Sequence, residues 1–152
     1  MTASPMSLEI LRMPGTRAYP PRESVFTQPF WQALGEGRLQ TSCCRACAQL
    51  AFPPRPICPH CWALEPGWSA LDKRGHLYSW TRIHAAPLAF AAEAPYAVGI
   101  VDLRQGIRLA CRLIDRPLAP AVGAEVELLA LVYEDGPLLG ARVVAPPPEP
   151  AA

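Results

Sequence analysis

The sequence predicts a mainly β fold in three parts: an N-terminal arm with one short helix, a cysteine-rich module, and a C-terminal barrel of five strands. Five of the six cysteines fall within nineteen residues, between Cys43 and Cys61. From residue 67 onward, polar and apolar side chains alternate between glycine turns, with no helix-length pattern. Prolines concentrate near the two ends, where they break regular structure. These observations separate the chain into 1–37, 38–66, 67–145 and a proline-rich tail, 146–152.

Composition excludes several classes of protein. The 152 residues suit one domain or two small modules, and 51% hydrophobic against 18% charged residues indicates a core-forming chain. A formal net charge of +1 does not indicate a nucleic-acid or membrane-surface binder. No apolar run approaches the roughly 20 residues of a membrane-spanning helix. The first eleven residues lack a basic start and a long apolar stretch, so we expect no secretory signal and a cytoplasmic chain.

A short helix is predicted just before the cysteines. Thr27 can cap it, Pro29 sits in the first turn where its missing N–H is harmless, and Gly35 can end it. Its apolar face consists of Phe30, Trp31 and Leu34. This face either packs on the chain's own core or docks a partner. We take it, together with the proline-rich ends, as the predicted partner contact, because proline lowers the ordering cost of an extended arm.

The C-terminal region contains five candidate strands. They are Trp68–Leu71 continuing through His76–His84, Tyr96–Leu103, Ile107–Ile114, Glu125–Tyr133 and Leu138–Val144. Gln105-Gly106 and Asp135-Gly136 are predicted hairpin turns. Five antiparallel strands in about eighty residues fit a small closed barrel, for which the OB fold is the usual solution. An open meander or a split sandwich remains an alternative.

The cysteine spacing predicts a metal site. Cys44 and Cys47 form one C-x-x-C knuckle, and Cys58 and Cys61 form a second one ten residues later. Each knuckle turns tightly enough to aim two thiolates at one point, and two pairs complete a tetrahedral zinc site. A closed shell of four thiolates leaves no position for water or substrate, so the zinc is expected to be structural. A pair of disulfides or a redox motif is the alternative, which the doubled motif disfavours.

Two sets of residues carry a family resemblance. The first set is Phe30-Trp31, Gly37-Arg38-Leu39, the first knuckle, Phe52-Pro53-Pro54-Arg55 and the second knuckle; the second set is Gly75, Tyr78-Ser79, His84, Pro87, Phe90 and Pro95-Tyr96. In this order they resemble the thiolase-associated zinc-ribbon/OB-fold family, long catalogued as a domain of unknown function. The resemblance covers roughly residues 26–145.

The resemblance implies a rubredoxin-like zinc ribbon with the four cysteines as ligands, an OB-fold barrel and a helical N-terminal arm. It also implies a non-catalytic accessory subunit of a thiolase-superfamily complex: a thiolase, a CoA-ester retro-aldolase or an acyltransferase. The partner of such a subunit carries the catalytic residues, and a CoA thioester is the ligand of the hetero-oligomer. Consistent with this, the sequence shows no nucleophile–base pair and no glycine-rich phosphate loop. An OB-fold nucleic-acid-binding zinc protein is the alternative.

Three residues near the first long connection are candidate acyl-CoA contacts. The segment Ala85–Pro95 is rich in small apolar residues and carries one aromatic, Phe90, which suits the wall of a pantetheine tunnel. Arg82 is a candidate for the CoA phosphates and His84 for the pantetheine arm. The alternative is an ordinary surface loop, with Phe90 against the barrel and His84 exposed at a strand end.

Overall fold

A computed structural model describes residues 7–17, 22–114, 116 and 118–148. Within them lie one α-helix, one 3₁₀ helix and nine strands. The helices are α1 (Gln28–Gly35) and the 3₁₀ helix (Leu88–Glu93); the strands are β1 (Glu9–Arg12), β2 (Gln40–Cys43), β3 (Leu50–Ala51), β4 (Gly67–Ala70), β5 (Arg74–Ile83), β6 (Tyr96–Leu103), β7 (Arg108–Ile114), β8 (Glu125–Tyr133) and β9 (Gly136–Ala145). Neither helix has the length and hydropathy to cross a membrane.

Five strands close into the predicted OB-fold barrel. The order is β8-β5-β6-β7-β9, and β9 pairs again with β8 to complete the ring. All of these pairs are antiparallel except β7–β9, which is parallel. The two predicted hairpins connect β6 to β7 and β8 to β9, and Gly106 and Gly136 in their turns have positive φ angles of 76° and 126°.

The barrel interior is filled by every second side chain of its strands. In β6, Ala97, Val101 and Leu103 are buried in the core, while the residues between them lie on the outer face. Gly99 completes the inward row. A Cβ there would lie 2.8 Å from the Leu77 Cδ1, closer than packed carbons approach, so only glycine fits at this layer.

The first predicted barrel strand is in fact two strands in two sheets. β4 pairs with β2 in the three-stranded sheet β3-β2-β4, whereas β5 belongs to the barrel. The Asp72 carboxylate accepts the amide N–H of Arg74 at 3.2 Å, and this local turn separates the two. The prediction of one strand running from Trp68 through His84 was therefore wrong, because alternation continues across the break and hides it.

The N-terminal segment is a sixth strand on the barrel. β1 runs parallel to β8, and Arg17 lies beyond it, buried against the β8–β9 hairpin. The Arg17 backbone N–H and Nε donate to Asp135 at 2.9 and 3.1 Å, and its guanidinium lies 4.9 Å from the Tyr133 ring centroid. The described part of the arm thus packs on its own chain, and its contact with a partner stays a prediction. Residues 1–6, 18–21 and 149–152, including most of the predicted proline-rich tail, lie outside the described residues.

Helix α1 begins and ends as predicted, but its cap differs. The Thr27 side chain makes no capping hydrogen bond. Its hydroxyl instead accepts the Ser24 amide N–H at 2.9 Å. Pro29 lies in the first turn as expected. The helix packs its apolar face toward β9 and β2 and so joins the cysteine module to the barrel.

Candidate metal centre

The first knuckle is a tight turn between β2 and β3. The Cys44 amide donates to the Gln49 carbonyl at 2.9 Å, and the Ala48 amide donates to the Cys44 carbonyl at 3.0 Å. Ala48 has a left-handed φ of 58°, which reverses the chain after Cys47. This geometry directs both cysteine side chains to the same side of the turn.

The second knuckle repeats the first with a constant offset of fourteen residues. The Cys58 amide donates to the Ala63 carbonyl at 3.0 Å, and the Trp62 amide donates to the Cys58 carbonyl at 3.0 Å. Trp62 has a left-handed φ of 63°, at the position equivalent to Ala48. The bridge Ile57–Leu64 closes this knuckle, as the pair Cys43–Leu50 closes the first.

The two knuckles bring all four predicted ligands together. The Cys44 and Cys61 sulfurs are 3.5 Å apart, the Cys47 and Cys58 sulfurs are 3.6 Å apart, and all four lie within 4.8 Å of one another. A tetrahedron with Zn–S bonds of about 2.3 Å has edges of about 3.8 Å, so the sulfur cluster has the size of a zinc shell. Disulfide bonds need about 2.05 Å, which none of the pairs approaches.

Backbone amides favour the thiolate form of one sulfur in each knuckle. The Ala46 and Cys47 amides both donate to the Cys44 sulfur at 3.4 Å, and the Cys47 bond is the main cause that lowers the pKa of Cys44 to about 6. At Cys58, burial raises the pKa, but amide hydrogen bonds from Cys61 and His60 outweigh it and hold the pKa below its usual range. Thiolates are the form that binds a metal, so the turns prepare these sulfurs for zinc.

The two remaining cysteines, Cys111 and Cys43, are not part of the sulfur cluster. Cys111 lies in the hydrophobic core, and burial raises the pKa of its thiol to about 12. It therefore behaves as a small apolar side chain, not as a reactive group. Cys43 lies outside the sulfur cluster, next to the carbonyls of Cys44 and Ala48.

The predicted acyl-CoA residues gather at one end of β5. Arg82 and His84 are exposed there, and Phe90 follows on the 3₁₀ helix, half-buried. The Phe90 ring packs edge-on against Tyr96 with centroids 5.8 Å apart. Phe90 thus lies against the barrel, as the alternative interpretation of this segment held, and the pantetheine tunnel stays a prediction.

A buried ionic cluster, absent from the sequence-based expectations, fixes the 3₁₀ helix to the barrel. Arg112 donates to Glu93 at 2.8 Å and stacks on the Tyr96 ring at 3.8 Å. The Tyr133 hydroxyl donates to Glu93 at 2.9 Å, and burial followed by the Glu93 contact raises the pKa of Tyr133 to about 12. These residues are 19 and 40 positions from Glu93. No local pattern in the sequence signals pairs at such separations.

The structure buries two of the three residues of the predicted partner face. Phe30 is 5% exposed and Leu34 0%, and both belong to the core of the chain itself, as the alternative interpretation held. Trp31 is half-buried at the edge of that core, with its ring 4.9 Å from Phe30. Of the three predicted contact residues, Trp31 alone keeps an accessible side chain, and its contact with a partner stays a prediction.

Two family models match consecutive parts of the chain. Residues 31–66 match the rubredoxin-like zinc ribbon domain of ChsH2, and residues 68–132 match the C-terminal OB-fold domain of ChsH2. Among curated proteins, a DUF35 domain-containing scaffold protein of Methanocaldococcus jannaschii is 33% identical over 96 residues, which are 61% of this chain and 68% of the relative. The benzoylsuccinyl-CoA thiolase subunit BbsA of Thauera aromatica is 32% identical over 118 residues, covering 76% of this chain and 81% of that subunit.

Solved structures show the same architecture. A chain of the Ltp2-ChsH2(DUF35) aldolase superimposes with a TM-score of 0.71 at 30% identity and covers 82% of this chain and 99% of that one. A DUF35 protein of unknown function from Sulfolobus solfataricus, at 19% identity and a TM-score of 0.58, agrees in fold. The chain is a member of the DUF35 family, with a ChsH2-type zinc ribbon and C-terminal OB-fold domain.

Proposed function

We propose that this chain is a non-catalytic accessory subunit of a thiolase-superfamily complex, which stabilises the catalytic partner and helps to form its acyl-CoA site. The observation that carries the proposal is the similarity over most of the chain to proteins whose names include a thiolase subunit and an aldolase. The active site of the partner determines the acyl group and the reaction.

The metal centre supports a structural role. Four thiolates complete the tetrahedral shell that Zn²⁺ prefers, so Cys44, Cys47, Cys58 and Cys61 would hold the ion with no position left for water. When bound, the zinc supplies folding free energy and no chemistry. The rest of the proposed activity therefore belongs to surfaces of the protein.

The charges of the barrel support a protein partner over a nucleic acid. Five cations on or next to its strands are paired with carboxylates: Lys73 with Glu127, Arg74 with Glu125, Arg108 with Asp102, Arg112 with Glu93 and Arg142 with Glu9. A nucleic-acid groove needs basic side chains that are available to phosphates. Pairing of this kind leaves the OB-fold alternative without such a groove among these residues.

Co-purification tests the proposal. A tagged chain produced in its native host is expected to carry with it a thiolase-like subunit at a fixed ratio, and turnover of a CoA ester is expected only with that subunit present. Turnover by the isolated chain would contradict the non-catalytic role. A chain that purifies alone, and whose addition leaves every thiolase-like enzyme of the host unchanged, would contradict the accessory role.

The acyl-CoA contribution has a separate test in the reconstituted complex. Arg82→Gln and His84→Gln, at the exposed end of β5, are expected to raise the KM for the CoA ester by about three- to tenfold with little change in kcat, since each removes a ground-state contact. Arg104→Gln, at the opposite end of β6, is the matched control and should leave KM unchanged. Equal changes in KM for all three variants would show that Arg82 and His84 do not belong to the acyl-CoA site.

A further inference from the structure

The two knuckles differ at matched positions. Leu50 of the first knuckle packs against the hydrophobic core, but its equivalent Leu64 is 69% exposed. Trp62, equivalent to Ala48, is 77% exposed, and Ile57 beside Leu64 is 44% exposed. The leucine of the first knuckle is thus packed on its own chain, whereas the second knuckle has three large apolar side chains that the described residues leave exposed.

The exposed tryptophan has an unfavourable backbone conformation. A left-handed φ is unfavourable for a side chain with a Cβ, and glycine would adopt it at no cost. Trp62 nevertheless holds this conformation at 63° and has no ring contact with another described aromatic. Because Ala48 has the same conformation in the first knuckle, the φ angle belongs to the turn itself, and what distinguishes Trp62 is a large apolar ring exposed to solvent, which is typical of an interaction site.

A cleft and the exposed side chain of Arg55 lie beside the Trp62 indole. The cleft has a volume of about 360 Å³ and is lined by Arg55, Pro56, Ile57, Cys58, Pro59 and Trp62. The Arg55 side chain is exposed and has no ion pair with any residue that the structure describes. Tryptophan and arginine are the side chains that most often dominate the energy of a protein interface.

Area and charge argue against a second copy of the chain as the occupant. The side chains of Ile57, Trp62 and Leu64 expose together about 400 Å², taking 150–250 Å² for one large aromatic. A stable interface buries about 800 Å² on each partner, so the patch alone does not suffice for a dimer. A two-fold axis through the cleft would also bring Arg55 against its own copy. A larger partner can contact the adjoining ribbon as well and offer an anion to Arg55.

We propose that Ile57, Trp62, Leu64 and Arg55, the second-knuckle surface, form the docking site for the thiolase-like catalytic subunit. The partner contributes an apolar pocket for the indole and a carboxylate at the pocket edge for Arg55. The inference rests on the proposed function, and it names the surface through which that function is exerted.

Glycine substitutions at the two matched positions test the surface. The probe is the thiolase-like subunit that co-purifies with the tagged wild-type chain, and its affinity is measured for each variant. Trp62→Gly is expected to bind at least tenfold more weakly while its melting temperature stays equal to or above that of the wild type. Ala48→Gly relieves the same backbone strain in the first knuckle, where the side chain is exposed but small, and should change affinity less than twofold. Arg55→Gln should weaken binding several-fold and reduce its dependence on salt.

The outcomes separate the surface from the function. A wild-type chain that captures no thiolase-like subunit overturns both. Capture with unchanged affinity for Trp62→Gly overturns the surface alone, as does a fall in melting temperature large enough to show that Trp62 supports the fold. A photo-cross-linker at position 62 should form a covalent link to the catalytic subunit, and one at position 48 should not. A cross-link from position 62 to a second copy of the chain would show that the second copy, not the catalytic subunit, occupies the surface.

Discussion

The two halves of the zinc ribbon make the same turns but are attached to the protein in different ways. The first knuckle belongs to a three-stranded sheet, and Leu50 and Phe52 beside it pack on the core, where Phe52 lies 5.9 Å from the Phe30 ring. The second knuckle has one bridge, Ile57–Leu64, to hold its ends together. The backbone geometry of a C-x-x-C turn is therefore determined by the residues of the turn itself, whereas the packing around the turn differs between the two knuckles.

Removal of zinc should produce the largest difference in stability between the two knuckles. Structural zinc contributes about 10–16 kcal/mol in small zinc-dependent modules, and the second knuckle has few other contacts. With a strong chelator, the amides of Cys58 and Trp62 should lose protection from hydrogen exchange, while those of Cys44 and Ala48 keep part of theirs. Mass spectrometry of the exchanged peptides, with the metal content determined in parallel, makes the measurement. Simultaneous loss of protection in both knuckles would show that the metal supports them equally.

Matched leucine truncations probe the packing directly. Leu50→Ala removes a side chain that contacts the core and should lower the free energy of unfolding by about 2 kcal/mol. Leu64→Ala, its exposed equivalent, should change that free energy by less than about 0.5 kcal/mol. Denaturant unfolding of the zinc-loaded protein compares the two. Equal losses would mean that Leu64 is covered within the chain.

A buried serine links the two knuckles and should have a smaller effect. The Ser42 hydroxyl accepts the Arg55 amide N–H at 3.1 Å, just before the second knuckle begins. Ser42→Ala leaves that amide without its partner and should cost about 1 kcal/mol. The loss should appear as faster hydrogen exchange at residues 55–64 and not at residues 44–50. Faster exchange throughout the ribbon would place the role of Ser42 in the sheet itself.

The metal site and most of the barrel follow from the sequence because both depend on short-range patterns. The spacing within each C-x-x-C turn identifies the four cysteines that the fold brings together, and apolar segments bounded by turn residues identify β6 and β8 to the residue. The break at Asp72 went unseen because the alternation continues through it. The β1–β8 pairing and the Glu93–Arg112–Tyr133 cluster join residues far apart in the chain, and composition or periodicity carries no record of such contacts.

The closing strand of the barrel has a practical consequence for dissecting this protein. The stretch matched by the two family models ends at residue 132, before β9 begins at Gly136, and starts after β1 has ended at Arg12. A fragment limited to residues 31–132 would lose β9, the strand that pairs with both β7 and β8. The unpaired edges of β7 and β8 would then be prone to aggregation. We therefore expect a fragment that folds independently to be longer than the residues matched by the family models and to extend from β1 through β9.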